Sequence, residues 1–358
     1  MLTLVTSVTI ARRGLQLESM TLQDKAAHKL KHGCWPWLVR PCKKVSNSCL
    51  TYCPPGTRPG NVQVSISENI PVIDCHQLGT DKAQLIKQIT EAAKEFGFFQ
   101  LINHGVPDNL LHNVMNVGKE FFELPSEDKA SFYSEDARQS CRLYTSIDYV
   151  REQVHYWRDT LRHPCHPLEE HIDFWPQKPA SYREVFGSYS VEVRKLSLCL
   201  LDLICKLSQV QSTATNFYPP CPDPSLTLGL PKHSDVNLIT LLLQEQVHGL
   251  QVLKDEQWLA VEPVPNAFVV NIGHMLQIMS NGKLSSADHR VVTNNKVSRT
   301  AVTSFKHPSS TCHIEPAKAL VMDFNPLYQA FIYKDFVSTY ITDTEERVSP
   351  LERYKFQT

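Results

Sequence analysis

The chain contains no run approaching the roughly 20 apolar residues a membrane-spanning helix needs, so no membrane partner is predicted. Neither charge is in excess. Its 36 basic and 37 acidic residues leave a formal net charge of -1, which removes the general electrostatic case for a nucleic-acid partner. Eleven cysteines are present but never as two C-x-x-C pairs, so neither a zinc module nor a secreted disulfide scaffold is predicted. A reducing, cytoplasmic setting is the plain expectation. No GxGxxG or GxxxxGKS/T spacing occurs, which argues against the nucleotide folds built on those loops.

With 358 residues and 42 % apolar content, the chain can bury a full-sized core. Its first 60 residues hold nine Lys or Arg against two acidic residues, four cysteines and the turn-rich CPPGTRPG. Residues 1–67 therefore read as a basic extension ahead of the domain, with three origins open: a variable tail, a targeting segment, or an untypical start to the coding sequence. The apolar opening LTLVTSVTI precedes its arginines, the wrong order for a secretory signal.

Order is predicted from the strand IPVID at 70–74. Leu85, Ile86, Ile89, Ala92, Ala93 and Phe96 follow at helical spacing and stop at Gly97. The strand FFQLINH and the helix DNLLHNVMNVGKEFFEL come next, and residues 181–209 read as one long helix backing a sheet. From about 211 the pattern changes to short segments rich in Val, Ile, Thr and aromatics: TATNFYPP, NLITLLLQ, GLQVLKD, QWLAVEPVP, AFVVNIG, HRVVTN, RTAVTSFKH and CHIEPAKAL. Such strands without intervening helices predict an antiparallel sandwich or barrel. The boundaries are an α/β region at 68–206, a catalytic β core at 207–340 and a tail at 341–358.

Several polar residues interrupt this β pattern. His233 and Asp235 precede NLITLLLQ, and in extended backbone their spacing puts both side chains on one face. His289 opens HRVVT. A lone histidine is ordinarily a surface or core residue, but two imidazoles and a carboxylate suit one face of a non-haem Fe(II) centre. Arg299 follows ten residues after His289, on what reads as the neighbouring strand, and its planar fork suits bidentate pairing with a carboxylate.

These residues sit in strings that resemble the plant 2-oxoglutarate- and Fe(II)-dependent dioxygenases. The matching strings are NFYPPCPDP, GLPKHSDVNLITLLLQ, HGLQVLKDEQWLAVEPVPNAFVVNIG, SNGKLSSADHRVV and SRTAVTSF, preceded by IPVID and EFGFFQLINHGVP. The resemblance covers roughly residues 68–340. It implies a mainly β fold, a double-stranded β-helix (jelly roll) with supporting N-terminal helices and a long backing helix. It also implies a metal triad of His233, Asp235 and His289, with Arg299 and Tyr218 on the distal carboxylate of 2-oxoglutarate and Asn216 nearby. The implied cofactors are Fe(II), 2-oxoglutarate as cosubstrate and ascorbate as activator. A monomer would then use dioxygen to hydroxylate, desaturate or demethylate a small molecule, releasing succinate and CO2.

LYTSIDYVREQVHYWRDTLRH, at 143–162, resembles the corresponding region of hyoscyamine 6-hydroxylase-like and downy-mildew-resistance-type oxygenases, which implies an alkaloid, flavonoid or phenolic substrate. Tyr156, Trp157, Phe305, Phe331 and Tyr333 are the candidate aromatic walls of its pocket. For Tyr156 and Trp157 the competing reading is ordinary packing against the barrel. Three departures from the family pattern stand out: Ala301 in place of the serine of R-x-S, His274 in place of aspartate, and a segment of some 15 to 20 residues missing after Lys206. They keep a second reading in play, a catalytically silent member that binds or regulates. An ascorbate-using oxygenase is a weaker alternative, since Tyr218 and Arg299 already provide what 2-oxoglutarate needs.

Overall fold

The computed structural model describes residues 52–60, 64, 70–76, 81–136, 138–145, 154–202, 209–321, 325–345 and 349–356. The expectations for residues 1–51, and for the shortened link at 203–208, lie outside the described residues.

Two sheets face each other. The larger contains, in spatial order, β1 (Val72–Asp74), β2 (Phe98–Ile102), β10 (Phe268–Ile272), β7 (Ile239–Gln244), β12 (Arg299–Pro308), β5 (Gln209–Tyr218), β4 (Asp159–Pro164) and β3 (Arg142–Tyr144). The smaller is β6 (Leu228–His233), β11 (His289–Val292), β8 (Leu250–Lys254) and β9 (Gln257–Ala260). All neighbours are antiparallel except β1 and β2. The large sheet recruits strands from both halves of the sequence, since β2 pairs with β10 and β4 with β5.

The helices cover the outer face of the large sheet. Helix Lys82–Glu95 starts where Asp81 accepts a hydrogen bond from the Gln84 amide at 3.0 Å, and buries Leu85, Ile89, Ala92 and Ala93. Helix Asp108–Glu123 packs against Tyr182–Asp202 and against β12. Helix Tyr182–Asp202 turns Phe186, Tyr189, Val193, Leu196 and Leu200 into the main core. Covered on both faces, β7 is buried at every position and therefore reads as an unbroken apolar run.

Four sequence expectations need correction. The long helix is described as far as Asp202 and does not reach 209, since Gln209 already belongs to β5, whose β-branched and aromatic content favours the strand. LPKH is the end of strand β6 itself: Pro231 is tolerated because β6 is an edge strand. CHIEPAKAL yields only the two-residue β13 (His313–Ile314) before the short helix Lys318–Val321. Arg299 is not on the strand beside His289, because β11 and β12 lie in different sheets.

A buried cation in the outer face makes a testable statement. Lys306 on β12 is fully buried, its amine donating to Gln211 Oε1 at 2.5 Å. Burial, and next the charge of Arg194, holds it down to about 7. An unfolded lysine titrates near about 10.4, so between those values the unfolded chain carries a proton the folded chain lacks, and stability rises with pH. Lys306→Met is expected to flatten that rise, measured as the urea midpoint at several pH values between 7 and 10.

Candidate active site

β6 and β11 pair so that His233 stands directly opposite His289. Asp235 follows β6 in the turn that leads to β7. The side chains converge: Asp235 Oδ1 lies 4.0 Å from His233 Nε2 and 3.9 Å from His289 Nε2, and the imidazole centroids are 4.2 Å apart. One ligand atom from each lies within 4.8 Å of the others, the only such His, Cys, Asp or Glu cluster among the described residues.

Each group is oriented from behind. His233 Nδ1 meets Pro231 O at 2.9 Å and His289 Nδ1 meets Ala287 O at 3.1 Å. A carbonyl can only accept, so the ring proton sits on Nδ1 and each Nε2 presents its lone pair to the centre. Asp235 Oδ2 accepts from Thr240 Oγ1 at 2.7 Å and from Asn271 Nδ2 at 3.1 Å, leaving Oδ1 free. Burial raises the Asp235 carboxyl, but His289, His233 and these two donors outweigh it and hold it below the ordinary carboxylate range. Burial first, and then His289, brings His233 down to about 4. Two imidazole Nε2 atoms and one carboxylate oxygen thus face one point, the donor set a divalent cation fits.

Ser234 is more than the spacer its position suggests. Its hydroxyl donates to Asp288 Oδ1 at 2.7 Å, and Lys232 reaches Asp288 Oδ2 at 2.9 Å. Asp288 therefore ties the His233–Asp235 turn to the strand carrying His289.

A second cluster lies on β12 and β5. Arg299 stands opposite Tyr218 in register, and its guanidinium carbon is 5.3 Å from the Tyr218 ring centroid. Two glycines give the pair room: a Cβ at Gly229 would lie 2.5 Å from the Tyr218 ring, and one at Gly249 would lie 3.0 Å from Arg299 Cδ. Arg299 is 2 % exposed, and burial lowers its pKa against the influence of Tyr218 and Glu245. Its Nη2 donates to Gln244 Oε1 at 2.9 Å and its Nε to Val247 O at 3.2 Å. No carboxylate pairs with it at salt-bridge distance among the described residues. Gln244 Nε2 is buried without a partner, and Gln244 faces Ala301 in register. Ala301 itself is fully buried.

The comparisons with known proteins agree with this geometry. Residues 209–308 match the model of the 2OG-Fe(II) oxygenase superfamily, and residues 70–179 match the N-terminal region of non-haem dioxygenases in morphine synthesis. Hyoscyamine 6-dioxygenase of Hyoscyamus niger is 42 % identical, over 87 % of this chain and 96 % of that protein. The chain belongs to the 2OG-Fe(II) oxygenase superfamily. Flavanone 3-dioxygenase 2 of Oryza sativa subsp. japonica is 40 % identical, over 84 % of this chain and 92 % of that one. The crystal structure of JOX2 in complex with 2OG, Fe and JA superposes with a TM-score of 0.76 at 29 % identity, covering 91 % of this chain and 99 % of that one. This oxygenase is an Fe(II)- and 2-oxoglutarate-dependent oxidoreductase with the jelly-roll fold.

The remaining predicted residues divide. Asn216 is buried and its amide is engaged on both sides, accepting from Thr160 Oγ1 at 2.9 Å and donating to Thr303 Oγ1 at 3.2 Å, so it laces β4, β5 and β12 together. Trp157 packs on Cys221 and donates its indole N–H to Pro219 O at 3.0 Å, which makes it a core residue. Tyr156 rests on a small cluster with Cys53, Val154, Leu228 and Val292. Phe331 joins a C-terminal aromatic group, 5.5 Å from Phe336 and 4.3 Å from Tyr354 between centroids. Phe305 and Tyr333, by contrast, both approach His307: its ring centroid is 5.9 Å from that of Phe305, and Tyr333 Oη lies 2.9 Å from its Nδ1.

Sequence reasoning missed Thr240, Asn271, Gln244 and His307. A signal existed for three of them: Thr240 and Gln244 are polar positions four apart in an apolar strand, and His307 shares the inward alternation of Arg299 on β12. His274 is buried at the start of helix His274–Met279, its backbone N–H donating to Asp235 O at 2.8 Å. Nothing in the structure explains why an imidazole stands there.

Proposed function

We propose that this oxygenase hydroxylates a small plant specialised metabolite of the alkaloid, flavonoid or phenolic kind. His233, Asp235 and His289 hold Fe(II), and Arg299, Tyr218 and Gln244 hold the distal carboxylate of 2-oxoglutarate. The observation that carries the reading is Asp235 Oδ1 facing two Nε2 atoms across 3.9–4.0 Å, with a buried arginine, without a carboxylate partner among the described residues, in the same chamber. The substrate class rests on relatives whose names specify hyoscyamine and flavanone.

Bound at the triad, Fe(II) supplies the redox chemistry that couples decarboxylation of 2-oxoglutarate by dioxygen to oxidation of a C–H bond. One oxygen atom goes to succinate and the other to the hydroxylated product, with loss of CO2. The chain's part is positional. Thr240 and Asn271 fix which carboxylate oxygen faces the metal, the Pro231 and Ala287 carbonyls fix both imidazoles, and Arg299 sets where the cosubstrate's far end lies. Tyr218, Leu242, Leu250, Val252, Val269 and Val291 form an apolar cluster that keeps water from the chamber. Desaturation and demethylation begin at the same C–H bond and differ in product mass. The metal and cosubstrate groups all come from one chain, which supports a monomer. A cytoplasmic location and activation by ascorbate complete the reading.

The test is succinate release from 2-oxoglutarate by the Fe(II)-loaded protein, with and without fractionated plant extract, followed by a screen for products gaining one oxygen atom. Succinate above background together with such a product is expected. No succinate with any fraction would sink the reading.

Ala301→Ser places a hydroxyl beside Arg299 and Gln244. It is expected to lower the 2-oxoglutarate concentration for half-maximal turnover by about tenfold, the worth of one hydrogen bond to a charged group.

A further inference from the structure

The inner faces of β12 and β4 carry more polar chemistry than metal and cosubstrate use. Inward alternation on β12 runs from Arg299 through Phe305 to His307. On β4 the alternation that places Thr160 against Asn216 puts Arg162 on the same face, opposite Ala214. The Arg162 guanidinium reaches Ser212 Oγ only at 3.4 Å, and its side chain is otherwise without a hydrogen-bond or ion-pair partner among the described residues.

His307 Nδ1 is engaged by the Tyr333 hydroxyl at 2.9 Å, whereas Nε2 is buried with no partner. Burial, and next the charge of Arg162, brings His307 down to about 3, so its ring is neutral. An anion in this space selects the tautomer in which the Tyr333 hydroxyl donates to Nδ1 and the ring proton sits on Nε2, free to be donated. Arg162 reaches Ser212, which stands opposite Phe305 in register, and the Phe305 ring lies 5.9 Å from that of His307; on its other side Phe305 faces Thr240, the residue that bonds Asp235, so the guanidinium and the imidazole border one space beside the metal ligands. Asp235 is already committed to Thr240, Asn271 and the metal, so what faces that space consists of donors: a guanidinium and an imidazole N–H. A buried ring nitrogen without a partner costs stability, and one anionic acceptor satisfies it while pairing with the exposed Arg162 guanidinium beside it.

We propose that Arg162 and His307 form an anion-recognition subsite, so that the substrate of this oxygenase is an aromatic or similarly flat molecule bearing a carboxylate. Phe305 and Tyr333 supply the apolar and aromatic edge against which its ring lies. This rests on the dioxygenase reading above and narrows it, since it disfavours cationic amines and neutral polyphenols in the same chamber.

The experiment compares isosteric acids and amides on the Fe(II)- and 2-oxoglutarate-loaded protein under nitrogen, by titration calorimetry with cinnamate against cinnamamide and benzoate against benzamide. The acids are expected to bind at least about tenfold more tightly than their amides, the effect of one charge-assisted hydrogen bond. Arg162→Gln and His307→Phe are each expected to bring that ratio close to one. Arg162→Glu, at an exposed position that tolerates exchange, is expected to reverse the preference toward benzylamine. Thermal melts check that each variant is folded.

Equal binding of acid and amide by an unmutated protein that does bind 2-oxoglutarate would overturn the subsite and leave the dioxygenase reading standing. Failure to bind 2-oxoglutarate at all would remove the reading underneath. An acid preference that survives both Arg162→Gln and His307→Phe but is lost in Arg158→Gln would also overturn it. Arg158 is the other candidate because it is buried, unpaired among the described residues and electrostatically felt by His233.

Discussion

Asp235→Ala is expected to slow succinate release from 2-oxoglutarate by about a thousandfold or more, since losing a mere outer partner of a metal ligand already costs roughly 10- to 100-fold. Asp235 is the only carboxylate in the cluster, and its Oδ1 is the atom common to both close approaches. Without it only the two imidazoles remain, and a ferrous ion would lose its one anionic oxygen ligand. The same substitution strips Thr240 Oγ1 of its acceptor and leaves Asn271 Nδ2 with only a 3.4 Å approach to His289 Nε2. Some loss of stability is therefore built in, and turnover alone would not separate misfolding from metal loss. The deciding measurement is the rise in melting temperature on adding a divalent cation, which mass action ties to binding by the folded state. The parent chain should show that rise and Asp235→Ala should not, while both unfold cooperatively without metal. A variant that keeps the metal-dependent rise and the succinate rate would refute the triad.

The triad was legible because its members break a pattern. A histidine and an aspartate just ahead of an apolar strand, and a second histidine opening another, are hard to explain as packing. Arg299 in the interior of RTAVTSFKH is equally hard to explain. What could not be read was which strands become neighbours, since register and sheet membership are long-range properties. Arg299 followed His289 by ten residues and was placed on an adjacent strand, yet the chain crosses from one sheet to the other between them. β6 was hidden by Pro231, which reads as a break unless the strand is known to be an edge. The groups holding Asp235 were hidden for a related reason: Thr240 is ordinary in a strand, and only the fold brings Asn271, 36 residues away, to the same carboxylate. Aromatic side chains were the least legible. Trp157 and Phe331 fill core, whereas Tyr333 meets His307, and composition does not distinguish these fates.

The link expected from the sequence to be short after Lys206 lies outside the described residues, and the strand beyond it bears on whether the site survives. The alignment with the hyoscyamine enzyme runs over 338 residues yet spans 87 % of this chain of 358, so that relative carries positions this chain lacks. β5 nevertheless pairs with β12 without a register break, from Gln209 opposite Pro308 to Tyr218 opposite Arg299. Every inward residue of β5 keeps its face as a result, because a slip of one position would turn Tyr218 away from Arg299. A shorter connection is thermodynamically tolerable where the strand it feeds remains in register.

That register gives the second large expectation. Arg299→Gln should raise the 2-oxoglutarate concentration for half-maximal turnover by roughly 30-fold to several thousandfold, matching the about 2–5 kcal/mol lost when one partner of a buried charge pair is truncated. Arg299 is buried, with Gln244 Oε1 and Val247 O as its only hydrogen-bonded acceptors in the described chain, both neutral. A guanidinium so placed is poised for a carboxylate from outside the chain, and a glutamine amide offers that carboxylate neither charge nor a bidentate fork. Arg299→Lys separates the two contributions, because it keeps the charge and loses the fork; a partial recovery of affinity is expected. Direct binding of 2-oxoglutarate by calorimetry distinguishes a weakened site from slowed chemistry. If Arg299→Gln binds 2-oxoglutarate as tightly as the parent chain, the cosubstrate does not lie along β12. The Tyr218–Arg299 pairing would then be structural, and Arg158, another buried guanidinium without a carboxylate partner among the described residues, would be the next anchor to test.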